Sequence, residues 1–148
     1  MSLAKDTIDL FPDISFGPPA TLEDILDAER ELGESLPAPL RELYLTSDGF
    51  CGPAGVRLLW PLGGENGLIR FNLLLRSAQE FPRDLMASCI FFGDEGTGPY
   101  WGFKRDLSDQ IIRWDGEWED FELAGATVLD AWKDWKRRYD ELVNEPMP

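Results

Sequence analysis

The chain has 148 residues, 43% of them apolar, and a formal charge of −14 from 28 acidic and 14 basic side chains. That length and apolar content predict one domain able to bury a core without staples. The charge repels phosphate backbones and argues against direct nucleic-acid binding, and the absence of histidine excludes Ser-His-Asp and Cys-His mechanisms and every histidine-ligated metal site.

Met1 to Phe11 carries Lys5, Asp6 and Asp9. It has no apolar stretch of secretory length, so no signal peptide is expected. The apolar runs of the chain fall far below the roughly 18–20 residues that span a bilayer, so no membrane partner is expected. Residues 1–20 read as an irregular arm. Phe11-Pro12, Phe16-Gly17 and Pro18-Pro19 interrupt any regular element, while Ile8, Leu10, Phe11, Ile14 and Phe16 would lay the arm along the domain surface.

Thr21 to Glu34 reads as a helix. Thr21 is the N-cap, with Asp24 three residues on as a capping-box acid. Leu22, Ile25, Leu26 and Leu32 share a face, and Glu23, Asp27, Glu31 and Glu34 make the opposite one acidic. Leu36-Pro37-Ala38-Pro39-Leu40 opens a second helix, because proline is tolerated in a first turn. Leu40, Leu43 and Tyr44 would be its buried residues, and Asp48-Gly49 its end. Phe50 to Gly55 is a loop, Val56 to Trp60 a strand ended by Pro61, and Gly63 to Gly67 a second loop. Between Leu68 and Leu85 the run Leu73-Leu74-Leu75 suits strand or helix alike, and Ser77 to Phe81 suits a helical turn before Pro82.

Cys89 to Trp114 holds the densest strand-forming text. Cys89–Phe92, Tyr100–Phe103 and Gln110–Trp114 are apolar runs separated by Gly93-Asp94-Glu95-Gly96-Thr97-Gly98-Pro99 and by Arg105 to Asp109. That pattern predicts a three-stranded antiparallel meander at the centre of the sheet. Asp115-Gly116-Glu117 is a further turn, and Trp118 to Leu123 a further strand. Asp115 to Glu122 contains five acids and no base, so it needs solvent or a basic partner. Thr127 to Asn144 is the last helix, with an aromatic-rich stripe of Val128, Ala131, Trp132, Trp135, Tyr139 and Leu142. Lys133, Lys136, Arg137 and Arg138 on it form the main basic cluster, and Pro146 and Pro148 follow. The expected fold is therefore α+β: an arm at 1–20, then a domain at 21–144 with an antiparallel sheet of about 4–6 strands packed against N-terminal helices and a C-terminal helix.

The glycines at 93, 96, 98 and 102 do not fit G-x-G-x-x-G, no Walker lysine follows, and strand-like text comes next. A hairpin turn is the better reading than a phosphate cradle. Asp94-Glu95 and Asp115/Glu117 could serve as carboxylate pairs for glycoside hydrolysis or for a divalent cation. In a chain this acidic, solvated turn residues are the simpler reading, and no cofactor or metal is expected. Cys51 and Cys89 form no CxxC, which fits reduced thiols in a cytoplasmic protein. Tyr100, Trp101, Trp114 and Trp118 stand beside the acidic turns, and aromatic anchors with charged rims are characteristic of protein interfaces.

Four segments resemble the SUKH superfamily, the Smi/Knr-like proteins. The first is the acidic helix followed by Leu36-Pro37, Leu40-Arg41, Leu43-Tyr44 and Ser47-Asp48-Gly49; the second runs from Phe92 to Phe103. The third is Ile111-Ile112-Arg113-Trp114-Asp115, and the fourth Thr127-Val128-Leu129 with Trp132 and Trp135. Pro99 stands where the family often has Asp or Asn, and Gly116 where a histidine often follows. The resemblance implies a non-catalytic binding protein. In bacterial members that is an immunity protein, which binds and blocks a cognate toxin, often a nuclease. The charge suits a basic toxin domain as the partner, bound by a monomer or weak dimer. The expected contact residues are Asp94, Glu95, Tyr100, Trp101, Asp115, Glu117, Trp118 and Glu119. A regulatory or scaffold module is the alternative of a different class, and a carboxylate-dependent hydrolase a third.

Overall fold

A computed structural model describes residues 2–144, so Pro146 and Pro148 lie outside the described residues. The chain begins with a helix, α1 (Leu3–Leu10), capped by Ser2, whose hydroxyl accepts the Lys5 N–H at 3.1 Å. This corrects the expectation of an arm irregular throughout residues 1–20. The proline and glycine breaks all fall after Leu10, and nothing in the eight residues of α1 opposes a helix. Thr7 is buried, its hydroxyl bonded back to the Leu3 carbonyl at 2.7 Å, and Leu3 and Leu10 pack on the core.

The second helix, α2 (Leu22–Leu32), starts in a complete capping box. The Thr21 hydroxyl accepts from the Asp24 N–H at 3.0 Å, and the Asp24 carboxylate accepts from the Thr21 N–H at 3.1 Å. It ends at Gly33 in the left-handed region, φ 78°. The third, α3 (Ala38–Thr46), buries Leu40, Leu43 and Tyr44 as the spacing predicts. The Tyr44 hydroxyl donates to the Trp60 carbonyl at 2.6 Å and fixes the next segment.

That segment is not the strand expected at Val56–Trp60. A tight turn at Pro53–Gly55 precedes it and Pro61 ends it, so it makes only isolated bridges, Phe50 with Leu59 and Arg57 with Asp94. Residues 68–85 resolve into two helices, α4 (Leu68–Ser77) and α5 (Arg83–Ala87). Leu68, Asn72 and Leu75 recur at helical spacing and are buried, while Leu73 and Leu74 face solvent. The helical turn expected at Ser77–Phe81 lies beyond Pro82 instead, because Pro82 serves as the N-cap of α5.

The meander follows its predicted limits closely: β1 (Cys89–Asp94), β2 (Tyr100–Lys104) and β3 (Gln110–Trp114). The strand expected at Trp118–Leu123 starts four residues later, as β4 (Glu122–Gly125). Before it comes the expected turn at Asp115-Gly116-Glu117, closed by the Trp118 N–H donating to the Asp115 carbonyl at 2.8 Å, and then a bend at Glu119-Asp120. Strand order is β1-β2-β3-β4, antiparallel throughout, with irregular register at Phe91/Gly93 and at Ile111/Ile112.

Core lies on both faces of the sheet. Ile90, Phe92, Trp101, Phe103 and Ile111 join residues of α2, α3 and the last helix, α6 (Val128–Val143), in the larger cluster. Cys89, Phe91, Ile112 and Trp114 meet Trp60, Leu75, Leu85 and Met86 in the smaller one. Gly102 sits across from Phe91, whose ring occupies the space where a Cβ would stand. Among the described residues, no helix is long and apolar enough to cross a membrane.

Candidate protein-binding surface

The β1–β2 turn was expected to present Asp94 and Glu95 to solvent, but both are buried. Asp94 accepts the Trp60 indole N–H at 2.8 Å, pairs with Arg57 at 2.6 Å and accepts the Gly96 N–H at 2.9 Å. The Arg57 guanidinium lies 5.5 Å from the Trp60 and Phe71 ring centroids. Glu95 is bound by two guanidiniums at once. Arg113 donates to its two oxygens at 2.6 and 2.9 Å, and Arg138 at 2.9 and 3.0 Å. Burial opposes ionisation of Glu95, but the bonds from Arg113 and Arg138 outweigh it and hold the carboxyl below its ordinary range. Arg138 also bonds Asp134, and Arg113 bonds Glu122 at 2.7 Å. One buried carboxylate therefore ties the β1–β2 turn to β3, β4 and α6. The hydrolase alternative needs a carboxylic acid of raised pKa here, and Glu95 is shifted the opposite way.

Trp101 is fully buried and stacks on Phe92 in the larger core. Tyr100 is half-buried, its ring within 6.2 Å of those of Trp60, Phe91 and Trp114. Burial first and the Asp94 charge second push its hydroxyl above the ordinary tyrosine range.

The remaining expected contact residues lie on the β3–β4 loop. Asp115 is half-buried and accepts the Glu117 N–H at 3.0 Å, and its carboxylate fills the space beside Gly98. That contact brings the β1–β2 turn against the β3–β4 loop. Trp118 is half-buried with the Arg113 guanidinium 5.6 Å from its ring centroid. Glu117 and Glu119 are exposed, and among the described residues neither side chain has an ion-pair partner.

Sequence reading missed what this loop faces. Glu119, Asp120 and Phe121 line a recess of about 280 Å³ together with Asp84 of α5 and Asp106 from the turn after β2. Its base is Lys104, only 6% exposed, whose Nζ donates to Ser88 Oγ at 2.7 Å, pairs with Asp106, and sits 5.7 Å from the Phe121 centroid. One ammonium cannot balance these four carboxylates, so the recess carries excess negative charge. The only signal in the sequence was the acid density of 115–122; Asp84 and Asp106 reach the recess through tertiary packing.

The family description SMI1 / KNR4 family (SUKH-1) matches residues 19–136, which span α2 through the first half of α6 and include the whole sheet. No curated protein matches the chain. The matched range takes in all four segments on which the resemblance was drawn, and the chain belongs to the SMI1 / KNR4 family (SUKH-1).

Proposed function

We propose that this protein is an immunity protein: it binds a cognate toxin domain of basic charge, non-catalytically, and blocks it. Family membership supports an immunity-protein or Smi/Knr-type role in general, exercised through protein–protein contact. The observation that carries the finer reading is the β3–β4 loop. Its exposed acids stand on a mount held rigid by the Glu95–Arg113–Arg138 cluster, and the chain around them carries a charge of −14. A fixed field of one sign accelerates encounter with a basic partner and disfavours acidic ones. Tyr100, Asp115, Glu117, Trp118 and Glu119 are the proposed contact residues, joined by Asp120. Asp94, Glu95 and Trp101 support them from beneath.

The test uses the toxin domain encoded beside this gene. Co-expression should relieve its toxicity, and titration calorimetry should give a one-to-one complex at sub-micromolar concentration. A toxin that is neither silenced in cells nor bound at micromolar concentration contradicts the proposal.

A further inference from the structure

The two edges of the sheet are finished differently. On β1, five backbone groups not used by β2 are already bonded by other parts of the chain. Arg76 donates to the Cys89 carbonyl at 3.1 Å, and the Asn72 amide both donates to the Phe91 carbonyl and accepts the Phe91 N–H, each at 2.8 Å. The Trp60 N–H donates to the Phe92 carbonyl at 2.7 Å, and the Asp94 N–H to the Arg57 carbonyl at 2.9 Å. At the other edge, β4 pairs with β3, and among the described residues no loop, helix or side chain bonds its backbone from outside. α6 covers the Gly125 end, where a Cβ would meet Asp130 and Ala131. The Glu122–Leu123 end is open, with the Leu123 side chain 61% exposed. An uncapped edge is a template for strand addition, and folded proteins usually cover or charge such edges.

The charge beside the edge selects the occupant. Glu117, Glu119, Asp120 and Glu122 precede or begin β4, and a second copy of this chain would bring like charges against them. Phe121, two residues before Leu123, lines the acidic recess. A strand paired along β4 and extended past Glu122 would therefore run beside that recess. Among the described residues no three carboxylates converge closely enough for a metal ion, so a basic side chain suits the recess better.

We propose that the outer edge of β4 receives an extended, lysine- or arginine-bearing segment of the toxin by strand addition, with one basic side chain entering the recess at Asp84, Asp106, Glu119 and Asp120. This rests on the immunity reading and adds the mode of recognition. Backbone pairing supplies the contact, and the recess supplies the preference for a basic residue.

The experiment is amide hydrogen exchange, read by NMR, of the full chain alone and with the toxin domain encoded beside its gene. The β4 amides that point away from β3 should slow by about tenfold or more in the complex. Toxin binding that leaves those amides unchanged overturns strand addition and leaves the immunity reading standing. Absence of binding overturns both. Protection of the same amides in the free protein, with concentration-dependent dimerisation in the ultracentrifuge, would assign the edge to a second copy and overturn the proposal. A second arm uses Leu123→Lys, which repels a basic segment at an exposed position. It should weaken toxin binding about tenfold, whereas Glu23→Lys on α2, the control for a charge placed elsewhere, should stay within about twofold. Equal affinities in two variants with wild-type circular dichroism count against the proposal.

Discussion

Glu95 is the side chain with the most consequence for the fold and the least outward sign of it. Its carboxylate is 3% exposed and accepts from residues 18 and 43 positions away. Glu95→Gln leaves two guanidiniums without their shared anion and should lower unfolding free energy by about 3 kcal/mol, since removing one member of a buried pair strands the other. Chemical denaturation measures it. The pH dependence follows from the same bonds. Because the folded-state pKa is lowered, the contribution is complete above the unfolded value of about 4.3 and is lost as pH falls through the folded one. In Glu95→Gln that acid-side loss should shrink. From sequence alone Asp94 and Glu95 looked like solvated turn acids. Nothing local distinguishes a turn carboxylate in water from one reached by Arg113 and Arg138, because the difference is made by tertiary packing of β3 and α6.

The cysteines make a second prediction at this scale. Burial pushes the Cys89 thiol up to about 11, while Cys51 is exposed. An aromatic disulfide reagent should therefore titrate one thiol in the native protein and both after unfolding. Rapid reaction of both in the native state would contradict the packing of the smaller core.

Among the elements, β1 depends on a side chain that imitates a neighbouring strand. Asn72 of α4 bonds both backbone groups of Phe91 and also donates to the Leu68 carbonyl at 2.8 Å. Asn72→Leu fills similar volume but orphans a buried N–H and a buried C=O. It should cost about 2–3 kcal/mol in stability and speed amide exchange at Phe91. The elements with strong local signals were legible. The meander had apolar runs bounded by glycine and proline, α2 and α6 had Thr-x-x-Asp openings, and β1 to β3 fell within two residues of expectation. Those with conflicting signals were not. Leu73-Leu74-Leu75 suits strand or helix alike until Leu68, Asn72 and Leu75 are known to be buried at helical spacing. Val56–Trp60 has strand composition, but its bonds go to single residues of β1 and to Phe50. The acidic stretch 118–121 turned where a strand was expected, since its carboxylates favour solvent and local bonds over a ladder.

For the molecule as a whole, the charge of −14 is spread over a well-packed scaffold, and the proposed contact loop is where its acids are densest. The composition and the family resemblance pointed to a binding protein before any coordinates. They did not show that Asp94, Glu95 and Trp101 would be buried, or that Asp84 and Asp106 would join the loop acids. The central claim is electrostatic capture of a basic toxin at the β3–β4 loop. Its most direct test is stopped-flow association of the wild type and the Glu117→Lys/Glu119→Lys variant with the toxin encoded beside this gene, from low to high ionic strength. The wild-type rate constant should fall by at least about tenfold across that range, and the variant should be slower at low salt by a similar factor and nearly flat. A wild-type rate indifferent to salt, or a folded variant that associates as fast as the wild type, would contradict the account.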